Sequence, residues 1–160
     1  MPDDPATAPA NSVATGMANS VATGVAVLVV DDEPHIGRII RTRLEQAGFI
    51  VLLAEHGTEA LSHLESTPGV ALVVLDLMLP GLSGTDILRI LRNDLRWRHL
   101  PCIVLTAAGQ DAQLREVESL GVSEIMTKPF SPRRLLERVR TFTGTQLLAT
   151  GEPPAAPVLP

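Results

Sequence analysis

The sequence predicts an α/β fold built on a parallel sheet, because strand-like and helix-like segments alternate along its central part. The strand-like segments are short apolar runs rich in β-branched residues, and stretches with apolar residues at helical spacing separate them. Four of these runs also end at a polar residue able to take part in phosphate or metal chemistry. In a parallel sheet such ends meet at the carboxyl edge, where open α/β sheets bind ligands.

The first half of the pattern contains three predicted strands and two helices. Val27–Val30 predicts the first strand, and the helix after it stops at Gly48. Ile50–Ala54 predicts the second strand, Pro68-Gly69 ends the second helix, and Leu72–Leu75 predicts the third strand. The helical positions expected to face the core are Ile36, Ile39, Ile40, Leu44 and Ala47 in the first helix, and Ala60, Leu61 and Leu64 in the second.

The second half adds two strands and three helices. Pro80-Gly81 turns the chain into the third helix, Ile103–Leu105 predicts the fourth strand, and Gly121 closes the fourth helix. Ile125–Thr127 predicts the fifth strand, and Ser131-Pro132 predicts an N-cap for the fifth helix. The expected core positions are Ile87, Leu88, Leu91 and Leu95, then Leu114, Val117 and Leu120, then Leu135, Leu136, Val139 and Phe142.

Length and composition predict one folded domain with two unstructured ends. The chain has 160 residues, of which 45% are hydrophobic and 19% are charged. We expect the domain to span residues 25–143. Residues 1–24 are mostly small or polar and predict a disordered segment. A seven-residue stretch occurs twice within them, which indicates either a local duplication or a true translation start at Met17. Residues 144–160 are rich in Pro and Ala and predict a flexible tail.

Charge and cysteine content exclude several classes of function. A net charge of −5 argues against binding to nucleic acid or to an anionic membrane, since both need a basic surface. Neither a signal peptide nor a membrane helix is indicated, so the predicted location is the cytoplasm. The single cysteine, Cys102, excludes an internal disulfide and is expected to be a small buried residue.

The polar residues at the strand ends are Asp31, Asp32, Asp76, Thr106 and Lys128. Each one alone has a structural explanation: the Asp31-Asp32 pair can cap the next helix, Thr106 carries no signal, and Lys128 can be a solvated loop residue. Asp76 is harder to explain in this way, because a carboxylate after a buried strand is unfavourable unless it lies at an edge with partners. Only the joint pattern favours a site.

Two other residues have structural explanations that we prefer. His35, on the first turn of the first helix, is expected at the surface rather than as a ligand or phosphodonor. Trp97 lies in a connecting segment between two arginines and is expected to be a local packing anchor.

The motifs Asp31-Asp32, Leu75–Gly81, Thr106-Ala107 and Lys128–Phe130, taken in order and in strand context, resemble the receiver domain of bacterial response regulators. The resemblance covers about Val25 to Phe142. It implies a doubly wound, flavodoxin-like (βα)5 fold with strand order 2-1-3-4-5. It also implies a single-domain regulator of the chemotaxis-receiver kind in a two-component phosphorelay.

The family's pattern also implies a role for each site residue. Asp76 would be the phosphoacceptor, Asp32 would bind Mg²⁺ directly and Asp31 through water, and the backbone carbonyl of Met78 would complete the protein ligands. Lys128 and Thr106 would contact phosphoryl oxygens, and the Lys128–Pro129 bond would be cis. Residue chemistry agrees, because clustered carboxylates need a cation before they can receive a phosphoryl group, and oxygen ligands favour Mg²⁺.

The switch region departs from the family's usual pattern. Ile125 occupies the position three before the lysine, where Tyr or Phe is usual, and the chain contains no Tyr. Ile is also simply a good strand residue. We expect the Thr106–Gln110 segment to carry most of the response, with modest repacking of Ile125. Met78 and Ala108 supply no acid or base beside the site, which predicts a longer-lived phosphorylated state than in fast chemotaxis-type receivers.

The expected partners are a histidine kinase or a histidine phosphotransfer protein, and an output protein that contacts the fourth helix, fifth strand and fifth helix. The fifth helix is basic, and its charged face is either solvated or a docking or dimer face; the arginines are Arg133, Arg134, Arg138 and Arg140.

A monomer or a phosphorylation-dependent dimer is expected. The alternatives are a phosphate sink or shuttle and a phosphate-independent interaction module. An Mg²⁺-dependent phosphatase is disfavoured, and we expect no catalysis beyond the chain's own phosphorylation and dephosphorylation.

Overall fold

Five strands and five helices alternate along the computed structural model, which describes residues 24–107, 109 and 111–144. The strands are β1 (Ala26–Val30), β2 (Ile50–Ala54), β3 (Val70–Asp76), β4 (Cys102–Thr106) and β5 (Glu124–Thr127). The helices are α1 (Pro34–Gln46), α2 (Gly57–Ser66), α3 (Gly84–Arg92), α4 (Asp111–Ser119) and α5 (Pro132–Thr143). The predicted order of elements is therefore confirmed.

All pairs of neighbouring strands in the sheet are parallel, and the strand order is β2-β1-β3-β4-β5. This is the predicted flavodoxin-like, doubly wound arrangement. The register determines which residues meet at the carboxyl edge: Val30 of β1 pairs with Leu75 of β3. Asp31, directly after β1, and Asp76, the last residue of β3, therefore lie side by side.

The sheet separates two apolar layers, because alternate residues of each strand point to opposite faces. Leu28 and Val30 pack into the layer that contains the buried residues of α2, α3 and α4. Val27 and Val29 pack into the layer formed with α1 and α5. The central strands β1 and β4 are buried along their whole length, as expected of strands covered by helices on both faces. Cys102, at the start of β4, is buried as predicted.

The ends of two helices follow from local hydrogen bonds. Ser83 caps α3 in a capping box, in which its hydroxyl accepts from the Asp86 amide and the Asp86 carboxylate accepts from the Ser83 amide. Ser131 caps α5 and accepts from the amide of Arg134 at 3.1 Å, which confirms the predicted N-cap. Both caps hold a helix start close to the carboxyl edge of the sheet.

Two predicted core positions are wrong. Leu95 was expected on the buried face of the third helix, but α3 ends at Arg92 and Leu95 lies in the following loop with 79% of its surface exposed. Ile39 lies on α1 as expected, yet it is 47% exposed, whereas Ile40 and Leu44 are buried. Apolar spacing identified both segments but could not determine where α3 ends or how α1 is rotated.

The predicted ends of the chain lie outside the described residues, so the domain limits at 25 and 143, the repeat and the tail stay predictions. Among the residues that are described, no helix combines the length and the apolarity needed to cross a membrane.

Candidate functional site

Three carboxylates form a cluster at the carboxyl edge of the sheet. Asp31 and Asp32 follow β1 and Asp76 ends β3, and one oxygen from each lies within 4.8 Å of the others. Asp31 and Asp76 are buried, while Asp32 is exposed. Buried like charges at this separation repel one another, so the cluster needs a cation to hold it together.

Close packing fixes the loop that carries Asp76. Its Oδ1 accepts a hydrogen bond from the Met78 amide at 3.1 Å, and the Gly84 amide donates to the Leu77 carbonyl at 3.0 Å. A Cβ at Gly84 would overlap the Asp76 carbonyl oxygen and lie 2.7 Å from Leu77 Cα. Only glycine allows the start of α3 to pack this closely against the end of β3.

Lys128 places a positively charged side chain in the carboxylate cluster. Its Nζ lies 3.0 Å from Asp76 Oδ2, 3.1 Å from Asp31 Oδ2 and 3.5 Å from Glu33 Oε1. Its backbone amide donates to the Thr106 carbonyl at 2.7 Å, which fixes the loop after β5 against the end of β4. The Lys128–Pro129 bond is cis, as predicted.

The pKa values of the two central groups reflect burial and proximity. Burial raises the pKa of Asp76 above its ordinary value, and the nearby Asp31 charge adds to this, although the hydrogen bonds from Lys128 and Met78 oppose it. Burial alone would lower the pKa of Lys128, but the contacts with Asp76 and Asp31 outweigh burial and raise it. The Lys128 side chain is therefore protonated at neutral pH.

The cluster fits a hard divalent cation. Asp31 Oδ2 is buried, and among the described residues its charged partner is the Lys128 ammonium at 3.1 Å, which it shares with Asp76. The available donors are carboxylate oxygens, which Mg²⁺ and Ca²⁺ prefer, and the exposure of Asp32 leaves access for water. An added cation would offset the excess of negative charge in the cluster.

The remaining predicted residues lie around this cluster. Thr106 ends β4 and is buried, and its hydroxyl donates to the Ala107 carbonyl at 3.2 Å. Met78 lies on the loop after Asp76 and is 56% exposed. Ile125 is half-buried on β5 and packs against the layer formed with α2, α3 and α4. Ala108, expected beside the site, lies outside the described residues.

Glu33 is a neighbour that sequence reasoning missed. It occupies the N-cap position of α1, and its amide donates to Asp31 Oδ1 at 2.9 Å. The idea that Asp31 or Asp32 caps α1 is therefore wrong, because the cap position falls one residue later. The direct continuation of the acidic pair, Asp31-Asp32-Glu33, was the signal available in the sequence.

His35 is exposed, and Trp97 packs against the core, both as expected.

Comparisons with known proteins agree with this geometry. Residues 27–140 match the response regulator receiver domain. Chemotaxis protein CheY1 of Helicobacter pylori is 34% identical over 120 residues, which cover 74% of this chain and 97% of CheY1. The transcriptional regulatory protein ResD of Bacillus subtilis is 38% identical over 117 residues, 72% of this chain and 47% of ResD. A response regulator receiver protein of Pseudomonas putida superposes with a TM-score of 0.71 at 30% identity, covering 76% of this chain and 99% of that one.

Proposed function

The chain belongs to the response regulator receiver domain family, and on that premise we propose that it accepts a phosphoryl group on Asp76 with the help of Mg²⁺ and signals through altered protein contacts. The donor is a histidine kinase or a histidine phosphotransfer protein, which we place with this chain in the cytoplasm, where ATP supplies phosphohistidine. The match to nearly the whole of CheY1 supports a single-domain regulator.

One observation carries the proposal: the Asp76 carboxylate lies beside two further aspartates, with its Oδ2 3.0 Å from the only lysine in the chain. In the reaction, an Asp76 oxygen attacks phosphorus, the P–N bond of phosphohistidine breaks, and the histidine nitrogen leaves with the electron pair and takes up a proton. The product is an acyl phosphate on Asp76. Asp76 must be ionised to attack, and the contacts from Lys128 and Met78 favour that form.

Mg²⁺, when bound, neutralises the phosphoryl oxygens and the carboxylates that would otherwise repel them. Asp32 and Asp76 would hold it through their side chains, Asp31 through a bound water, and Met78 through its backbone carbonyl. Lys128 would turn from Asp31 and Asp76 to a phosphoryl oxygen, which needs only a small movement of a flexible ammonium. Thr106 would exchange its bond with the Ala107 carbonyl for a bond to another phosphoryl oxygen.

That exchange at Thr106 gives a route to the surface. Its hydroxyl and backbone lie at the end of β4, directly before the 107–110 segment that leads into α4. Movement of this segment would alter the face formed by α4, β5 and α5, with Ile125 repacking modestly because it is half-buried against the core. Similar hydrogen–deuterium exchange of this face with and without beryllofluoride, a phosphate mimic, would contradict the proposed route.

The output partner would dock on the face formed by α4, β5 and α5. Glu124 of β5 pairs with Arg138 at 3.1 Å and with Arg134 at 3.5 Å, while Arg133 is 81% exposed. Part of the basic helix is therefore used within the fold, and the Arg133 side chain lies in solvent, where its only ion pair among the described residues is with Glu137 at 3.8 Å. This arrangement supports an acidic partner, and either a monomer or a dimer that forms on phosphorylation.

A phosphate shuttle is the second candidate, and the half-buried Ile125 favours it because the aromatic switch is missing. Phosphoryl lifetime separates the two functions. A shuttle would pass its phosphoryl group to a phosphotransfer protein quickly, whereas a signalling receiver would keep it while its partner is bound. We expect the longer lifetime, since the exposed Met78 side chain offers no acid or base to activate water.

The test is intact mass after incubation with Mg²⁺ and acetyl phosphate, for the wild type and for Asp76→Asn, followed over time after the donor is removed. We expect a gain of about 80 Da in the wild type alone, as for one acyl phosphate. The gain should require Mg²⁺ and decay slowly. Labelling of Asp76→Asn would contradict the assigned acceptor, and no labelling under conditions that label another receiver would favour a phosphate-independent module.

A further inference from the structure

The loop between α3 and β4 exposes a large apolar side chain at the edge of the sheet opposite the phosphorylation site. Leu95 is 79% exposed, the largest value among the big hydrophobic residues that the structure describes. The next residues, Arg96 and Trp97, continue the same surface. An exposed leucine alone needs no explanation, so its surroundings decide whether it has a role.

Ion pairs and hydrogen bonds hold this loop firmly in place. Arg96 binds both carboxylate oxygens of Glu65 on α2, at 2.8 and 3.1 Å, and pairs with Asp94 at 2.9 Å. Its guanidinium also stacks over the Trp97 ring, 4.1 Å from the centroid. The hydrogen bonds from Arg96 lower the pKa of Asp94 to about 2, so this carboxylate stays charged. Leu95 is exposed on an ordered loop.

Arg92 fixes the other side of the loop. Its guanidinium donates to the carbonyls of Leu120 at 2.8 Å, Trp97 at 3.2 Å and Gly121 at 3.3 Å, which ties the loop to the turn before β5. A surface ordered in advance binds a partner without the loss of entropy that ordering a mobile loop would require.

Two adjoining clefts lie at this edge, and Leu95 lines the first of them. One, of about 610 Å³, is lined by apolar side chains that include Leu64, Leu95, Trp97 and Leu100, and also by Glu65, Arg96 and His99. The other, of about 510 Å³, contains Arg92, Arg98 and His99, together with Ser119 and Ser123. None of the described residues lining this second cleft carries a carboxylate.

Charge determines which partner suits this pair of clefts. The protein carries a net charge of −5, yet this edge gathers two arginines and a histidine around one cleft. Within residues 24–107, 109 and 111–144, no carboxylate forms an ion pair with the exposed Arg98. A partner that places apolar side chains in the first cleft and carboxylates in the second would complement both.

We infer that the surface formed by Leu95, Trp97, Arg92 and Arg98, here called the amino-edge surface, binds an acidic segment of a partner protein that also carries apolar residues. Its apolar side chains pack against Leu95 and Trp97, and its carboxylates reach Arg98 and approach the positive charge of Arg92. This binding does not depend on Asp76 or on phosphorylation. The receiver can thus be tethered at one edge while the other edge gains and loses phosphate.

Trp97 gives the experiment its readout, because it is the only tryptophan in the chain and there is no tyrosine. Random peptides of about twelve residues, long enough to span both clefts, are displayed on phage and selected against the full chain. Those enriched are synthesised and titrated while Trp97 emission is followed. We expect them to combine Asp or Glu with Leu, Ile, Phe or Met, to shift Trp97 emission, and to bind less tightly as salt is added.

Three variants test the location. Leu95→Ser and Arg98→Glu should each weaken binding about tenfold, whereas Arg43→Glu, the same charge change on α1, should leave it unchanged. Both residues are exposed, so the fold should persist, and circular dichroism checks this. The inference is overturned if the enriched peptides lack acidic residues, leave Trp97 emission unchanged or bind the Leu95→Ser and Arg98→Glu variants as tightly as the wild type. It is also overturned if no peptide is enriched. Self-association of the wild type that Leu95→Ser abolishes would assign the surface to a second copy of the chain instead.

Discussion

The two edges of the sheet hold their charges in opposite ways. At the carboxyl edge, Asp31 and Asp76 are buried and share the single ammonium of Lys128. At the amino edge, Arg96 pairs with both Glu65 and Asp94, and these groups lie in contact with solvent. In both groups the carboxylates outnumber the cation, but the carboxylates of the carboxyl edge are buried and those of the amino edge are solvated. This contrast points to the carboxyl edge as the place where a cation and a phosphoryl group bind, because there the excess of negative charge is shielded from water.

The tightest packing of the carboxyl edge gives the largest expected effect. Gly84→Ala would force a methyl group onto the Asp76 carbonyl and should lower the free energy of unfolding by about 3 kcal/mol. It should also slow phosphorylation, because the Asp76 loop has to move. Urea denaturation and intact mass with acetyl phosphate measure the two effects.

Gly37→Ala is the matched control. Its Cβ would lie at an ordinary distance of 3.6 Å from Leu53, within helix α1. It should raise the free energy of unfolding by about 0.5–1 kcal/mol, because alanine favours helix more than glycine does. If both substitutions had the same effect, the claim that the β3–α3 loop is specially constrained would be wrong.

The charge imbalance itself can be tested at Lys128. Lys128→Gln removes the ammonium from two buried carboxylates and should lower the free energy of unfolding by about 2 kcal/mol without Mg²⁺. Mg²⁺ should stabilise the variant more than it stabilises the wild type, since the cation then balances the carboxylates alone. Thermal unfolding with and without Mg²⁺ measures this difference, and an equal Mg²⁺ effect on both proteins would argue against a metal site among these residues.

The amino edge has a buried titrating group of its own. Burial raises the pKa of the Cys102 thiol to about 11 from 9.0. Between these values the folded state keeps a proton that the unfolded state loses, so stability falls as pH rises above 9. The expected loss is about 1 kcal/mol between pH 9 and pH 10. Urea denaturation over this range should show it in the wild type and not in Cys102→Ala, whose lower overall stability should be independent of pH there.

The sequence predicted the fold well because strand and helix periodicities are local. The residues that make up the site were also predicted, since Asp31, Asp76 and Lys128 each directly follow or end a strand, and parallel strands bring such positions together. Their roles remain predictions. Two features could not be predicted from the sequence. Leu95 has the spacing of a core residue, but α3 ends at Arg92, before Leu95 is reached. Glu33 lies at the site because its amide donates to Asp31 in the turn after β1.

Thr85 is a smaller test of the carboxyl edge. It lies in the first turn of α3, 6% exposed, and within the described part of the chain its hydroxyl oxygen has no hydrogen-bond partner. Thr85→Val keeps the shape and removes the buried hydroxyl, so it should raise the free energy of unfolding by about 1 kcal/mol. Phosphorylation should be unchanged. A loss of stability in urea would mean that the hydroxyl takes part in a hydrogen bond, for example through water.

The smallest effect is expected at Arg96, although it makes the largest number of charged contacts on the amino edge. Arg96→Ala removes pairs with Glu65 and Asp94, but these groups are solvated, and exposed ion pairs contribute little because water and salt screen them. The small loss of stability should therefore disappear at about 1 M NaCl, where the Debye length is only a few ångströms. Trp97 emission should change more than stability does, since the ring loses the guanidinium stacked on it. A large loss of stability that salt does not reduce would contradict the contrast between the two edges, because the exposed network would then hold the fold together rather than shape its surface.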